Sequence, residues 1–126
     1  MLNIISEYKG KPYICGFYDC NLMVLELTGF DISTIQPFNS VLSGMKSLRK
    51  ATNCKTMNQY LESKGYKKIN QNLITDGCFL LQGIHCFVYF DGMVFGVSSL
   101  TKTYEWCSLN LQELQEFEVY QWQKQQ

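Results

Sequence analysis

The sequence predicts an α+β domain with N-terminal helices packed on an antiparallel sheet. Three observations carry that prediction. The first half holds apolar residues at helical spacing between good capping residues. The second half holds five short runs rich in aromatic and branched residues. Asp91-Gly92 stands between two of these runs as a two-residue hairpin turn. Helices first and a meander of strands afterwards is the α+β order. At 126 residues the chain reads as one domain, 1–126, and 46% hydrophobic residues suffice for a core.

The elements follow in chain order. Residues 1–8 read as a short amphipathic helix or strand. Residues 9–19 read as loop, punctuated by Gly10, Pro12 and Gly16. Asp19 is a good N-cap for a helix from Cys20 to Leu27, and Gly29 is its stop. Residues 31–39 connect to a third helix that Ser40 or Ser43 caps and that runs through Ala51. Thr56 or Asn53 opens another, with Met57, Tyr60 and Leu61 at helical spacing and Gly65 at its end. Strands are expected at Tyr66–Ile69, Cys78–Gln82, His85–Phe90, Met93–Ser99 and Tyr104–Cys107. A closing helix is expected from about Leu111 to Trp122, with Asn110 and Glu113 as N-cap and reciprocal partner. The polar end, QWQKQQ, is expected to fray.

Charge narrows the function. Eleven basic and eleven acidic residues cancel, and no Lys/Arg cluster appears. Neither nucleic acid nor an anionic membrane surface is the expected partner. MLNIISEYKGK contains no long apolar segment, so no secretion signal or membrane span is expected, and the protein is expected to be made in the cytoplasm.

Six cysteines stand at positions 15, 20, 54, 78, 86 and 107. Without a signal segment, reduced thiols are expected over disulfides. Those in CFLL, HCFVYF and EWCSL have the apolar neighbours of small core residues. Zinc is disfavoured: no C-x2-C pair is present, and adjacent strand residues such as His85 and Cys86 point to opposite faces. No metal and no cofactor is expected.

The turn at Asp91-Gly92 sets a register. Phe90 faces Met93, and counting back puts His85 opposite Ser98. His85, Phe87 and Tyr89 then share a face with Ser98, Gly96 and Val94. Cys86, Val88 and Phe90 share the other with Val97, Phe95 and Met93, which is uniformly apolar and is the expected core face. Gly96 is expected to leave space beside His85.

Cys20 and His85 are the candidate chemistry. A helix N-terminus carries partial positive charge and free N–H groups, which favour a thiolate there and can hold an oxyanion. A histidine brought in by the fold supplies the base. Taken singly, Cys20 could be a small buried residue and His85, the one histidine, an ordinary strand-end residue.

These residues resemble a family. Tyr13, Gly16 and Asp19-Cys20 in "PYICGFYDC" are similar to the "PYxxG…DC" motif of NlpC-type cell-wall cysteine peptidases, and "TDGCFLLQGIHCFVYFDGMVFGVS" is similar to their later His-strand, turn and strand block. With "G-x-D" after the helix, the chain is most similar to the small forms in bacteriophage and prophage tail modules. The resemblance spans Gly10–Asp31 and Thr75–Ser99. It implies a papain-like fold and hydrolysis of peptidoglycan stem peptides, with Cys20 as nucleophile and His85 as base. It implies that Asp19 and Tyr13 shape the loop and meet the substrate's amino end, and that the Cys20 N–H serves the oxyanion hole. Phage tail or virion proteins are the implied partners, and incorporation into a virion the implied destination.

The chain departs from the motif at Asn21, where Ser is common, at Cys15, where Trp is common, and at Asp76-Gly77, an inverted Gly-Asp. Gly96 stands at the position that usually orients the histidine, so Ser98 is the expected substitute in the catalytic set. Two alternatives stand beside the hydrolase: a virion structural or adaptor protein with a weak or inactive site, and a small cytoplasmic amidase or acyltransferase.

Overall fold

The computed structural model describes residues 2–123. Four helices come first: α1 (Leu2–Tyr8), α2 (Cys20–Leu27), α3 (Val41–Thr52) and α4 (Met57–Ser63). The strands follow: β1 (Tyr66–Ile69), β2 (Phe79–Gln82), β3 (His85–Phe90), β4 (Met93–Val97) and β5 (Tyr104–Ser108). A single helical turn, α5 (Leu111–Leu114), precedes β6 (Glu118–Trp122). The sheet order is β1-β6-β2-β3-β4-β5, and every neighbouring pair is antiparallel. The α+β expectation holds.

The caps explain the helix starts. Asp19 Oδ1 accepts the Asn21 N–H at 2.9 Å, Ser40 Oγ that of Ser43 at 3.2 Å, and Thr56 Oγ1 that of Gln59 at 3.1 Å. Each satisfies one of the donors a helix start leaves free. Ser40 and Thr56 are thus the caps, and Asn53 instead ends α3 in the left-handed region, at φ 57°.

The end of the chain differs from the expectation. Asn110 caps α5 and pairs with Glu113 as predicted, but the helix stops after one turn. Residues 118–122 form a strand inserted between β1 and β2. Glu and Gln favour a helix there by intrinsic propensity. Tertiary packing overrides it, because Val119 and Tyr120 are buried on opposite faces of the sheet. A strand buried on both faces carries no alternating pattern to announce it. The QWQKQQ segment is ordered through Trp122 in β6, while residues 124–126 lie outside the described residues.

Both faces of the sheet are covered. On one, Phe79, Leu81, Cys86, Val88, Phe95 and Tyr104 meet the helices through Leu22, Met23, Val24 and Leu25 of α2. Met23, Val24 and Leu25 are fully buried, at about 1.5–3 kcal/mol for each such side chain. On the other, Leu80, Val94, Leu114 and Val119 make a second, smaller core with Phe87 and Tyr89. The hairpin face expected to carry the polar residues and open space beside His85 is therefore an interior at Phe87, Tyr89 and Val94.

Candidate active site

The loop before α2 is built around Asp19. Gly16 has φ +82°, and a Cβ there would lie 1.8 Å from the Phe38 carbonyl oxygen, so only glycine fits. This bend brings the Gly16 N–H to Asp19 Oδ2 at 3.2 Å, and the Tyr13 hydroxyl donates to the same oxygen at 3.4 Å. One buried carboxylate thus ties the loop to the helix it caps. Behind it, the Tyr104 hydroxyl donates to the Tyr18 carbonyl at 2.7 Å and anchors the loop to β5.

Cys20 is the first residue of α2, under that cap. It is 4% exposed. Its Sγ lies 3.6 Å from the carbonyl oxygen of Ile84, the residue before His85. Gly83-Ile84 is the turn between β2 and β3, and glycine at the first position with φ +60° suits a type II′ hairpin. The hairpin tip therefore presses on the N-terminus of α2.

The side chain that β3 delivers to Cys20 is Cys86. Its S–H has two acceptors in reach, Asn21 Oδ1 at 3.4 Å and the Cys20 sulfur. The hydrogen bond from Cys86 holds the Cys20 thiol below its ordinary range, against burial and the nearby Asp19 carboxylate, which push it up. Main-chain N–H groups of Cys86 and Cys20 act in the same sense as that bond. Cys86, fully buried beside a thiolate, is pushed well above its ordinary range. The pair therefore ionises first at Cys20.

His85 is exposed and pairs with Gln82 at the mouth of the β2–β3 hairpin. It lines a cleft of about 60 Å³ with Tyr13, Cys15, Asp19, Asn21 and Ile84, under Phe38 and α3. A second cleft, of about 190 Å³, shares Asn21, Met45, Leu48 and Ile84 with the first and continues past Arg49 and Lys55 to Asn58. The two adjoin along these residues to make one groove; Cys20 itself lines neither cleft, but Asn21, next to it in the chain, and Ile84, which its sulfur contacts, line both.

Ser98 requires a correction. The register holds where it was set: Phe90 pairs with Met93 and Val88 with Phe95. Ser98, however, closes the turn to β5. Its hydroxyl accepts the Leu100 N–H at 3.2 Å and its N–H donates to Thr103 at 2.9 Å. Among the described residues no hydrogen bond joins Ser98 to His85. The space beside Gly96 is also occupied. A Cβ on Gly96 would lie 2.1 Å from Cδ1 of Phe87, whose ring sits across the strand pair. That glycine seats Phe87 and leaves no room for His85.

Sequence reasoning missed Cys86, Asn21 and the Ile84 carbonyl as parts of the site. The signal for Cys86 was present: it shares the core face of β3 with Val88, and α2 is the apolar helix available to cover that face. Among the described residues no group of three or more His, Cys, Asp or Glu side chains is arranged to hold a metal ion. No described helix is long and apolar enough to cross a membrane. Comparisons with family models, with curated proteins and with solved structures find no match to this chain.

Proposed function

We propose that this chain is a papain-like, NlpC-type cysteine hydrolase that cleaves peptide bonds in peptidoglycan stem peptides. The observation that carries the reading is Cys20: a thiol at a capped helix start that Cys86 holds toward the thiolate, and whose S–H in the neutral form donates to the carbonyl of Ile84, the residue before His85. The substrate lies along the groove above it, with Tyr13 and the Asp19 loop at one end and Arg49 and Lys55 at the other. His85 takes the Cys20 thiol proton, the thiolate attacks the scissile carbonyl carbon, and N–H groups at the start of α2 receive the oxyanion. The C–N bond breaks, His85 protonates the leaving amine, and water activated by the same imidazole hydrolyses the thioester. The stem-peptide substrate and a place in a bacteriophage tail rest on the resemblance of "PYICGFYDC" and the His85 block alone.

Purified protein is expected to release peptide fragments from peptidoglycan, and Cys20→Ala to abolish release. Equal release by wild type and Cys20→Ala defeats the proposal.

A second reading, a virion structural or adaptor protein on this framework, is favoured by one feature. The group packed against the buried Cys20 is Cys86, while His85 is exposed and its ring makes no hydrogen bond among the described residues. Wild type and Cys20→Ala that are equally inert yet both assemble into a particle would establish it.

A further inference from the structure

A cavity of about 360 Å³ lies on the far side of Phe38 from the groove, between α1, the loop at Gly16–Tyr18, α2 and the connector before Phe38. Its volume falls in the range of small-ligand sites, about 300–1,000 Å³. Two carboxylates, Glu7 at the end of α1 and Glu26 on α2, line it, and no Lys, Arg or His does. Neither carboxylate takes part in a salt bridge among the described residues. Glu26 Oε1 accepts the Tyr8 hydroxyl at 2.9 Å, which orients the carboxylate. A carboxylate has about four acceptor positions, so most of its capacity remains open. Aromatic rings of Phe17, Tyr18 and Phe38 also line the cavity. Phe17 stands 63% exposed, an unusual place for so large an apolar ring, and packs edge-on against Tyr18 at 4.7 Å.

We propose that this cavity binds a guanidinium group on an alkyl stem, as an arginine side chain or a free guanidine carries it. Three demands are met at once. Two carboxylates with open acceptor positions and no cationic neighbour in the lining favour a cation over a neutral or anionic ligand. A planar fork of donors matches an oriented carboxylate such as that of Glu26. Aromatic faces suit a planar, weakly hydrated cation better than a compact ammonium. The apolar side chains of Leu22, Ile32 and Ile35 suit the alkyl stem.

The test is calorimetric titration of the full chain with Nα-acetyl-arginine methylamide, with its citrulline analogue as the neutral isostere and its lysine analogue as the ammonium. An arginine-containing peptide distinguishes a partner's side chain from a free ligand: tighter binding of the peptide assigns the site to a partner protein, and equal binding to a free guanidine. The arginine compound is expected to bind with Kd below about 1 mM and at least about tenfold more tightly than either analogue. Glu26→Gln keeps an acceptor for Tyr8 and is expected to weaken arginine binding about tenfold or more while leaving citrulline unchanged. Phe17→Ala alters an exposed residue and is expected to weaken arginine binding about threefold, which keeps the test decisive should Glu26→Gln unfold. Citrulline or lysine binding as tightly as arginine, absence of saturable arginine binding, or full affinity in both variants overturns the proposal.

Discussion

Replacing Cys86 by Ala removes the S–H that reaches both the Cys20 sulfur and Asn21 Oδ1. The main-chain N–H of Cys86 survives the substitution, so only the side-chain share of the effect is lost. A net hydrogen bond of about 0.5–1.5 kcal/mol corresponds to about a two- to thirteenfold change in the thiolate's population below its titration. Iodoacetamide alkylation of Cys20, followed by peptide mapping across pH, reads that population. The rate at neutral pH is expected to fall by about that factor in Cys86→Ala, with the titration moved upward. Linkage gives an independent sign. Cys20 is lowered in the fold, so its contribution to stability is present above the unfolded thiol's pKa of about 8.5 and is lost as pH falls through the folded value. Cys86 is raised, so its contribution is present below about 8.5 and is lost as pH rises through the folded value. Wild type is expected to gain stability as pH rises toward that point and lose it beyond, and Cys86→Ala to keep only an attenuated gain. An unchanged alkylation profile, or Cys86 reacting ahead of Cys20, refutes the assignment of the pair.

Three further outcomes are expected. Gly96→Ala drives a methyl group into Phe87, so thermal melting should show a loss of about 1–3 kcal/mol, and adding Phe87→Ala should cost less than the two changes summed. Asp19→Ala strips the cap from α2 and strands the Gly16 N–H, so denaturant unfolding should show a loss of about 1–3 kcal/mol; Asp19→Asn should recover much of it. Ser98→Ala removes the acceptor that closes the turn to β5; it should cost about 0.5–1.5 kcal/mol in stability and leave Cys20 alkylation unchanged.

What could be read without coordinates was local chemistry. Asp19, Ser40 and Thr56 cap helices because their side chains reach N–H groups two or three residues ahead, an interaction the sequence contains in full. Asp91 and Gly92 both adopt positive φ, 49° and 78°, as the two-residue turn demands, and the pairing of Phe90 with Met93 follows from it. What could not be read was set by distant partners. Glu118–Trp122 becomes a strand because β1 and β2 offer it hydrogen bonds on both edges, and neither edge is visible from residues 111–122.

The misplaced part of the site comes from the hairpin register. Counting back from Asp91-Gly92 puts His85, Gly96 and Ser98 on one face, so Gly96 reads as space for His85 and Ser98 as its partner. With β6 in the sheet and α5 ahead of it, Val119 and Leu114 close that face with Leu80 and Val94, and Phe87 is drawn over Gly96. The interior so formed has no place for a polar orienting group. The opposite face of β3 was read correctly as core, and α2 packs on it. Contact with the start of α2 therefore falls to the first buried residue of β3, and that residue is Cys86. The cysteine at the helix start is answered first by a second thiol, and His85 reaches the same groove from its rim.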